Sequence, residues 1–372
     1  MYALQFNVRD IFKANRLAFS LQRIWIQFLG FTVGYLGYLI FTYLAIIITG
    51  YSFNDIWQQA GLLPCLATFG GNSVSWIIFF VGVLFFIVSH FIASTAVSRA
   101  IYMLLKGNHF YTWREAYAFA FRKALSVIFT PLSIAIIIML FVVGGLIVGA
   151  LGQIPVIGEL GFSLFYLVWI FAGLVLFYFI IVFLISSVVS PAIISTTDDD
   201  AFEGVFQSFS LVWNQPIRLI LYEVIIAACT FVGLIIFATF VKQGFLLTDS
   251  IFSLAMGEKY VSLMKQGMYI LSGWVAVSIG WIEVLFGDYS TYFYFSREFI
   301  QIDVPIILHI SSYIFAVMML IVGGFVISYG LAVLNSGNTL VFIILRKMKD
   351  DYNLLERKDA EEEEEEEDLE AD

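Results

Sequence analysis

The sequence predicts an all-α integral membrane protein with about six transmembrane helices and short amphipathic helices at the cytoplasmic interface. Three observations carry that expectation. Of 372 residues, 61% are hydrophobic and only 13% are charged, where soluble domains carry about 25% charged residues. Apolar runs of the roughly 20 residues needed to cross a hydrocarbon core occur at about 25–48, 75–98, 124–150, 162–194, 217–241 and 305–345. Finally, one short pattern returns three times at the tail of such a run: "STAVSRAIYMLLK" from Ser94, "SSVVSPAIISTTD" from Ser186 and "NSGNTLVFIILRK" from Asn335.

The N-terminal stretch "MYALQFNVRDIFKANRLAFSLQR" interleaves basic and apolar residues, and no small-residue cleavage site follows a short apolar core, so it does not read as a cleaved signal peptide. Its portion "DIFKANRLAF", like "EAYAFAFRKAL" from Glu115 and "EGVFQSFSLVW" from Glu203, starts with an acid and carries apolar residues at helical spacing. Each reads as an amphipathic interfacial helix ahead of a pair of spans. Trp25, Trp76 and Trp213 stand at or just before span starts, as interfacial anchors do. Cys65 follows Pro64 in a connecting segment and Cys229 lies deep in an apolar run, so they read as lone thiols rather than a disulfide. Gly30, Gly34 and Gly37, and likewise Gly145 and Gly149, form small-residue faces that favour close helix approach. Pro131 and Pro191 fall within or near span ends.

A seventh run, 267–287, is long enough to span; the basic residues favour the six-span reading, with seven spans as the alternative. With six spans and a cytoplasmic N-terminus, only Lys242, Lys259, Lys265 and Arg297 of the 19 basic residues fall outside. With seven, Arg346, Lys347, Lys349, Arg357 and Lys358 move outside and only Arg297 moves in. Residues 242–304 are therefore expected to form an outer insertion, with 267–287 re-entrant or interfacial. The expected organisation is three repeats of an interfacial helix plus two spans: 1–110, 111–199 and 200–350, followed by a disordered acidic tail, 351–372. Internal repeats of this kind are usual in transporters and also serve to build other bundles.

The segment "SSVVSPAIISTTDDDAFEGVFQSFSLVWNQPIRLI" resembles the signature region of bacterial polytopic families related to the membrane domain of glycerophosphodiester phosphodiesterases. In those families a small-residue span end with a proline precedes an acidic helix and the next span. The resemblance implies a fold and a membrane location; with the six-span count of basic residues, the expected placement is a prokaryotic cytoplasmic (inner) membrane with both termini cytoplasmic. It carries over no catalytic residue, because the soluble phosphodiesterase barrel has no counterpart here.

An ionisable side chain inside a span is a functional-site hypothesis by default. Glu223 lies six residues into the fifth run, about 9 Å from its start at 1.5 Å per residue. Ser94 with Ser98, Ser186 with Ser190, and Asn335 with Thr339 are spaced i, i+4, so each pair shares a helix face. His90 shares the first of these faces, and Asn338 adds an amide. Together they suggest a polar cavity open to the cytoplasm around Glu223; the competing reading is that they hydrogen-bond helix to helix. The histidines at 90, 109 and 309 form no metal motif, no catalytic motif is present, and no cofactor or nucleic acid is implied.

The acids from Asp359 to Asp372, among them Glu361, Glu364 and Glu367, account for the net charge of -10; the rest of the chain is close to neutral. They read either as a solvated tail or as a site for a basic protein partner. The function expected from these features is that of a non-catalytic scaffold or accessory subunit whose other partners are membrane lipids. The alternative is a transporter or lipid-handling protein built around Glu223.

Overall fold

A computed structural model describes residues 4–275 and 301–357. Helix is the regular structure among them: α1 (Val8–Ile11), α2 (Ala14–Ala18), α3 (Leu21–Ile47), α4 (Phe53–Ala60), α5 (Leu66–Phe69), α6 (Ser73–Lys106), α7 (Trp113–Arg122), α8 (Ala124–Leu151), α9 (Ile157–Leu164), α10 (Tyr166–Thr197), α11 (Ala201–Asn214), α12 (Pro216–Met256), α13 (Glu258–Trp274) and α14 (Ile306–Asp350). Six of these, α3, α6, α8, α10, α12 and α14, are long and apolar enough to cross a membrane, and they coincide with the six runs read from the sequence. The fifth run continues in helix well past residue 241, to Met256. At 41 and 45 residues, α12 and α14 are about 62 and 68 Å long at 1.5 Å per residue, so each extends beyond a hydrocarbon core of about 30 Å. The chain packs as two compact units.

The first unit comprises Met1–Leu17, Phe91–Ala227 and Leu334–Asp372. Three of its short helices, α1, α7 and α11, are started by one device, a side chain that caps the orphan N–H groups of the first turn. Asn7 and Thr112 form capping boxes with Asp10 and Glu115, and the Asp200 carboxylate accepts from the Glu203 N–H at 3.0 Å. The acids that begin the three amphipathic stretches thus occupy the same third helical position. The stretch from Asp10 is two helices and not one. The Asp10 carboxylate accepts from the Gln5 N–H at 2.7 Å and from Lys13 Nζ at 2.6 Å, and the chain turns at Phe12 and Lys13 before α2 begins.

Pro131 and Pro191 are carried inside α8 and α10 without ending either helix. α10 stops where Asp198 adopts a left-handed conformation, φ +55°, and Lys123 Nζ holds that turn from the start of α8. It donates to the Asp198 carbonyl at 2.6 Å and pairs with Asp198 Oδ1 at 2.7 Å. Both side chains are mostly buried, so Lys123→Met is expected to lower stability by about 1–2 kcal/mol, the scale of a partly screened charged hydrogen bond. A drop in the apparent Tm of purified protein in detergent, absent in a Lys259→Met control at an exposed lysine, would be the readout. α11 reaches α8 because Gly204 lacks a side chain: a Cβ there would lie 2.5 Å from Thr130 Oγ1.

The second unit comprises Ala18–His90 and Ala228–Val333. α3 and α6 run antiparallel at close range. A Cβ on Gly34 would meet Ser89 Cβ at 2.9 Å, one on Gly37 would run into the Phe85 ring, and one on Gly82 would meet Phe41 at 2.7 Å. Ser89 Oγ donates to the Gly30 carbonyl at 2.8 Å. The first glycine face is therefore a packing seam. Gly145 and Gly149 have nothing within 4 Å of where a Cβ would stand, so the second face carries no close packing among the described residues. Trp25, Phe28 and Phe325 form a stack whose Phe28–Phe325 centroids are 4.3 Å apart.

The stretch "SIFSLAMGEKYVSLMK" is broken at Gly257, φ +61°, into the end of α12 and the start of α13. Residues 267–274 of the seventh run are the last turns of α13, and the remainder of that run, with Glu283, lies outside the described residues apart from Val275.

Candidate functional site

The recurring pattern occupies the final turns of α6, α10 and α14. In the first unit, residues 93–103, 189–197 and 335–345 are each buried without interruption. A helix enclosed on every side has little room for large side chains and favours small residues that let neighbours approach; Arg99 is the large polar exception in the first segment. That is the physical reason for Ala93, Ser94, Ala96 and Ser98, for Ser190 and Ala192, and for Ser336 and Gly337. A Cβ on Gly337 would lie 2.6 Å from Ile226.

These helix ends meet one another. Asn338 Nδ2 donates to the Val188 carbonyl at 3.4 Å, joining the patterned segment of α14 to that of α10. Arg99, the residue after Ser98, donates from Nη1 to the Ser195 carbonyl at 3.1 Å, joining α6 to α10. Ile226, which touches Gly337, stands three residues from Glu223 on α12, so both lie on neighbouring positions of one helix face. Eight of the nine cavity residues expected from the sequence belong to the first unit; His90 belongs to the second, at the end of its segment Ala18–His90.

Their roles divide. Ser186 Oγ accepts from Ser208 Oγ at 3.2 Å, tying α10 to α11, and Thr339 Oγ1 donates back to the Asn335 carbonyl of its own helix at 2.7 Å. Ser94 and Asn335 are buried and engaged. Four atoms stand apart: Ser98 Oγ, Ser190 Oγ, Asn338 Oδ1 and Glu223 Oε1 are enclosed and have no hydrogen-bond partner among the described residues. A buried acceptor without a donor costs about 1–3 kcal/mol, so each of these four oxygens is available to a donor-rich or cationic group, as are others elsewhere such as Thr42 Oγ1 and Thr230 Oγ1. Among the described residues no three His, Cys, Asp or Glu side chains stand together as metal ligands. Glu361, Glu364 and Glu367 lie outside the described residues.

Two features were not read from the sequence. Arg99 is wholly buried, with its guanidinium 4.2 Å from the Phe119 ring centroid and 5.5 Å from that of Tyr102. Its position directly after a run of small residues was the available signal, yet there it counts only as one more basic residue at a span end. The second is a latch. Tyr102 Oη donates to the Leu354 carbonyl at 2.8 Å, Lys106 Nζ donates to the Arg357 carbonyl at 2.7 Å, and Arg357 approaches Asp199 at 3.6 Å. Leu354 is buried in a 3-10 turn, Leu354–Glu356. Residues 354–357, within the stretch expected as the acidic tail, carry this turn and these contacts. Asp351 is fully exposed, and its hydrogen bond with Lys347, Nζ to Oδ1 2.8 Å, keeps its carboxyl below the ordinary carboxylate range. An exposed pair of this kind adds little stability.

No protein-family model, no curated protein and no solved structure matches this chain.

Proposed function

We propose that this chain is a non-catalytic scaffold or accessory subunit of a prokaryotic cytoplasmic membrane, with both termini cytoplasmic, and that it arose as three copies of an interfacial helix plus two spans. The observation that carries the scaffold reading is the latch. Tyr102 and Lys106 fix the backbone at Leu354 and Arg357, two residues before the acidic sequence that starts at Asp359. A charged segment that leaves from a fixed point is suited to presenting itself to a basic protein partner. The common cap-plus-acid start of the short helices and the three enclosed helix ends support the repeat reading. Exposed aromatics on α7 and α11, Phe121, Phe202, Phe206 and Trp213, support their lying in a lipid headgroup layer.

The test is copurification from gently solubilised native membranes. A stoichiometric protein partner that is lost on deleting residues 359–372, and weakened when Tyr102→Phe and Lys106→Ala release the latch, is the expected result. Retention of every partner by the deleted protein would overturn the scaffold reading.

A second reading, transport or lipid handling, is favoured by one observation: the unpartnered Glu223 Oε1 and its neutral counterparts at Ser98, Ser190 and Asn338. Under it, Glu223→Gln removes substrate-dependent activity while leaving partner copurification intact.

A further inference from the structure

The connection between α3 and α6 does not stay at the end of the spans. Three tyrosines on one side of α3 reach its backbone: Tyr43 Oη donates to the Gly61 carbonyl at 2.5 Å, Tyr38 Oη donates to the Pro64 carbonyl at 2.6 Å, and Tyr35 Oη donates to the Leu62 carbonyl. Tyr38 and Tyr35 stand nine and twelve residues before the end of α3 at Ile47, about 14 and 18 Å down the helix at 1.5 Å per residue. Helical side chains lean toward the helix N-terminus, so these hydroxyls do not reach upward to meet a loop at the surface; the loop comes down to them. The descent is packed: Ile56, Ala60, Leu66 and Phe69 form one buried cluster with Ala45 and Ile46 of α3.

That depth is membrane depth on the reading of α3 as a span. The other side of α3 exposes a stripe of Val33, Leu36, Ile40, Leu44 and Ile47, each more than 40% exposed, which runs along the same length as the tyrosines. Gly82 of α6 packs on Phe41, which puts Trp76, six residues earlier, level with the end of α3. Trp25 and Trp76 then bracket roughly 33 Å of helix, close to the thickness of a hydrocarbon core, and Gly61–Pro64 falls between them.

Irregular backbone at such a depth must be satisfied by protein or face water, because lipid offers it no hydrogen bonds. Here three carbonyls are satisfied by tyrosine hydroxyls, and the Leu62 N–H donates to the Trp274 carbonyl at 2.8 Å. Gly61 takes φ +53°, and a Cβ there would stand 2.5 Å from the same Trp274 oxygen, so only glycine fits the tip. Gly61 and Pro64 are buried, whereas Cys65, Ala67 and Thr68 are exposed.

We propose that residues 48–72 form a re-entrant loop, entering the membrane from the face opposite the N-terminus, and that its exposed side, Cys65 to Thr68, floors a water-filled vestibule open to small hydrophilic solutes. The proposal rests on reading the chain as a membrane protein, though not on either function above.

Cys65 is a native probe. In sealed proteoliposomes carrying the full chain with Cys229→Ala, a membrane-impermeant charged maleimide added to the side remote from the N-terminus is expected to label Cys65. The rate should be at least several-fold below that of a cysteine placed at Asp55 on α4, which is exposed. A fluorophore on Cys65 should be quenched by aqueous iodide, and its depth, read with lipid-borne spin labels, should fall inside the hydrocarbon core. Labelling as fast as at residue 55, with a depth at the headgroups, would show that the loop does not re-enter. Reaction only with a permeant maleimide, or with neither reagent, would place Cys65 against lipid or protein and remove the vestibule. Retention of the protein in the bilayer through an alkaline carbonate wash is measured on the same sample. Its release there would overturn the membrane reading itself, a result separate from the other two.

Discussion

Arg99→Ala is expected to lower the stability of the first unit by about 3–5 kcal/mol, at the upper end of single-residue effects. The side chain is wholly buried, and two of its interactions are lost together. The guanidinium lies 4.2 Å from the Phe119 ring centroid, a desolvated cation–π contact of about 2 kcal/mol. Its Nη1 bond to the Ser195 carbonyl at 3.1 Å is charge-assisted and contributes about 1.5–3 kcal/mol. The alanine also leaves a void where the guanidinium stood. Lysine should not rescue it, since a compact ammonium neither stacks on Phe119 nor keeps the planar fork, and it leaves a charge buried without the same bonds. Methionine should do better than either, because it fills the space and carries no charge to desolvate. Apparent Tm values in detergent for the three variants give the test: stability in the order Met, then Ala and Lys. An Arg99→Lys protein as stable as the parent would show that charge alone is required, and the stacking account would fail.

Gly34→Leu is the second large effect. The Cβ alone would stand 2.9 Å from Ser89 Cβ and 3.2 Å from both Ser89 Oγ and Phe86 Cδ2, so leucine must push α6 away from α3. Overpacking of this kind costs about 1–3 kcal/mol, and the displacement also breaks the Ser89 bond to the Gly30 carbonyl, 2.8 Å. The same substitution at Gly145, where nothing lies within 4 Å of the Cβ position, should be neutral or slightly stabilising, since leucine favours helix over glycine by roughly 0.8 kcal/mol. Comparing the two variants by apparent Tm and by yield of monodisperse protein isolates packing from composition. Equal loss at both sites would mean that glycine is needed for some reason other than close approach.

The contrast between these glycines shows how far the sequence could be read. Gly34 and Gly145 carry the same small-residue spacing, and nothing local tells a seam from a bare face, because that depends on which helix arrives opposite. The three amphipathic stretches were legible because each starts with a side-chain cap three residues before an acid, an arrangement contained within one turn. The break at Phe12 and Lys13 was not, since it follows from the Asp10 carboxylate being claimed by both Gln5 and Lys13. The patterned pairs were found as a repeat. Which of their hydroxyls are spent, as at Ser186 and Thr339, and which are left unpartnered, as at Ser98 and Ser190, required knowing what lies across from each.

By itself, then, the sequence determined the six long apolar helices, their order and the short capped helices before them, because length, hydropathy and capping act along the chain and within a turn. The tertiary structure alone decided that Arg99 is enclosed, that residues 354–357 are latched to α6, and that the loop at Gly61–Pro64 descends beside α3. Each of these depends on a backbone carbonyl meeting a side chain from a distant part of the chain. A carbonyl is present at every residue, so it leaves no mark in the sequence to show which one will be chosen.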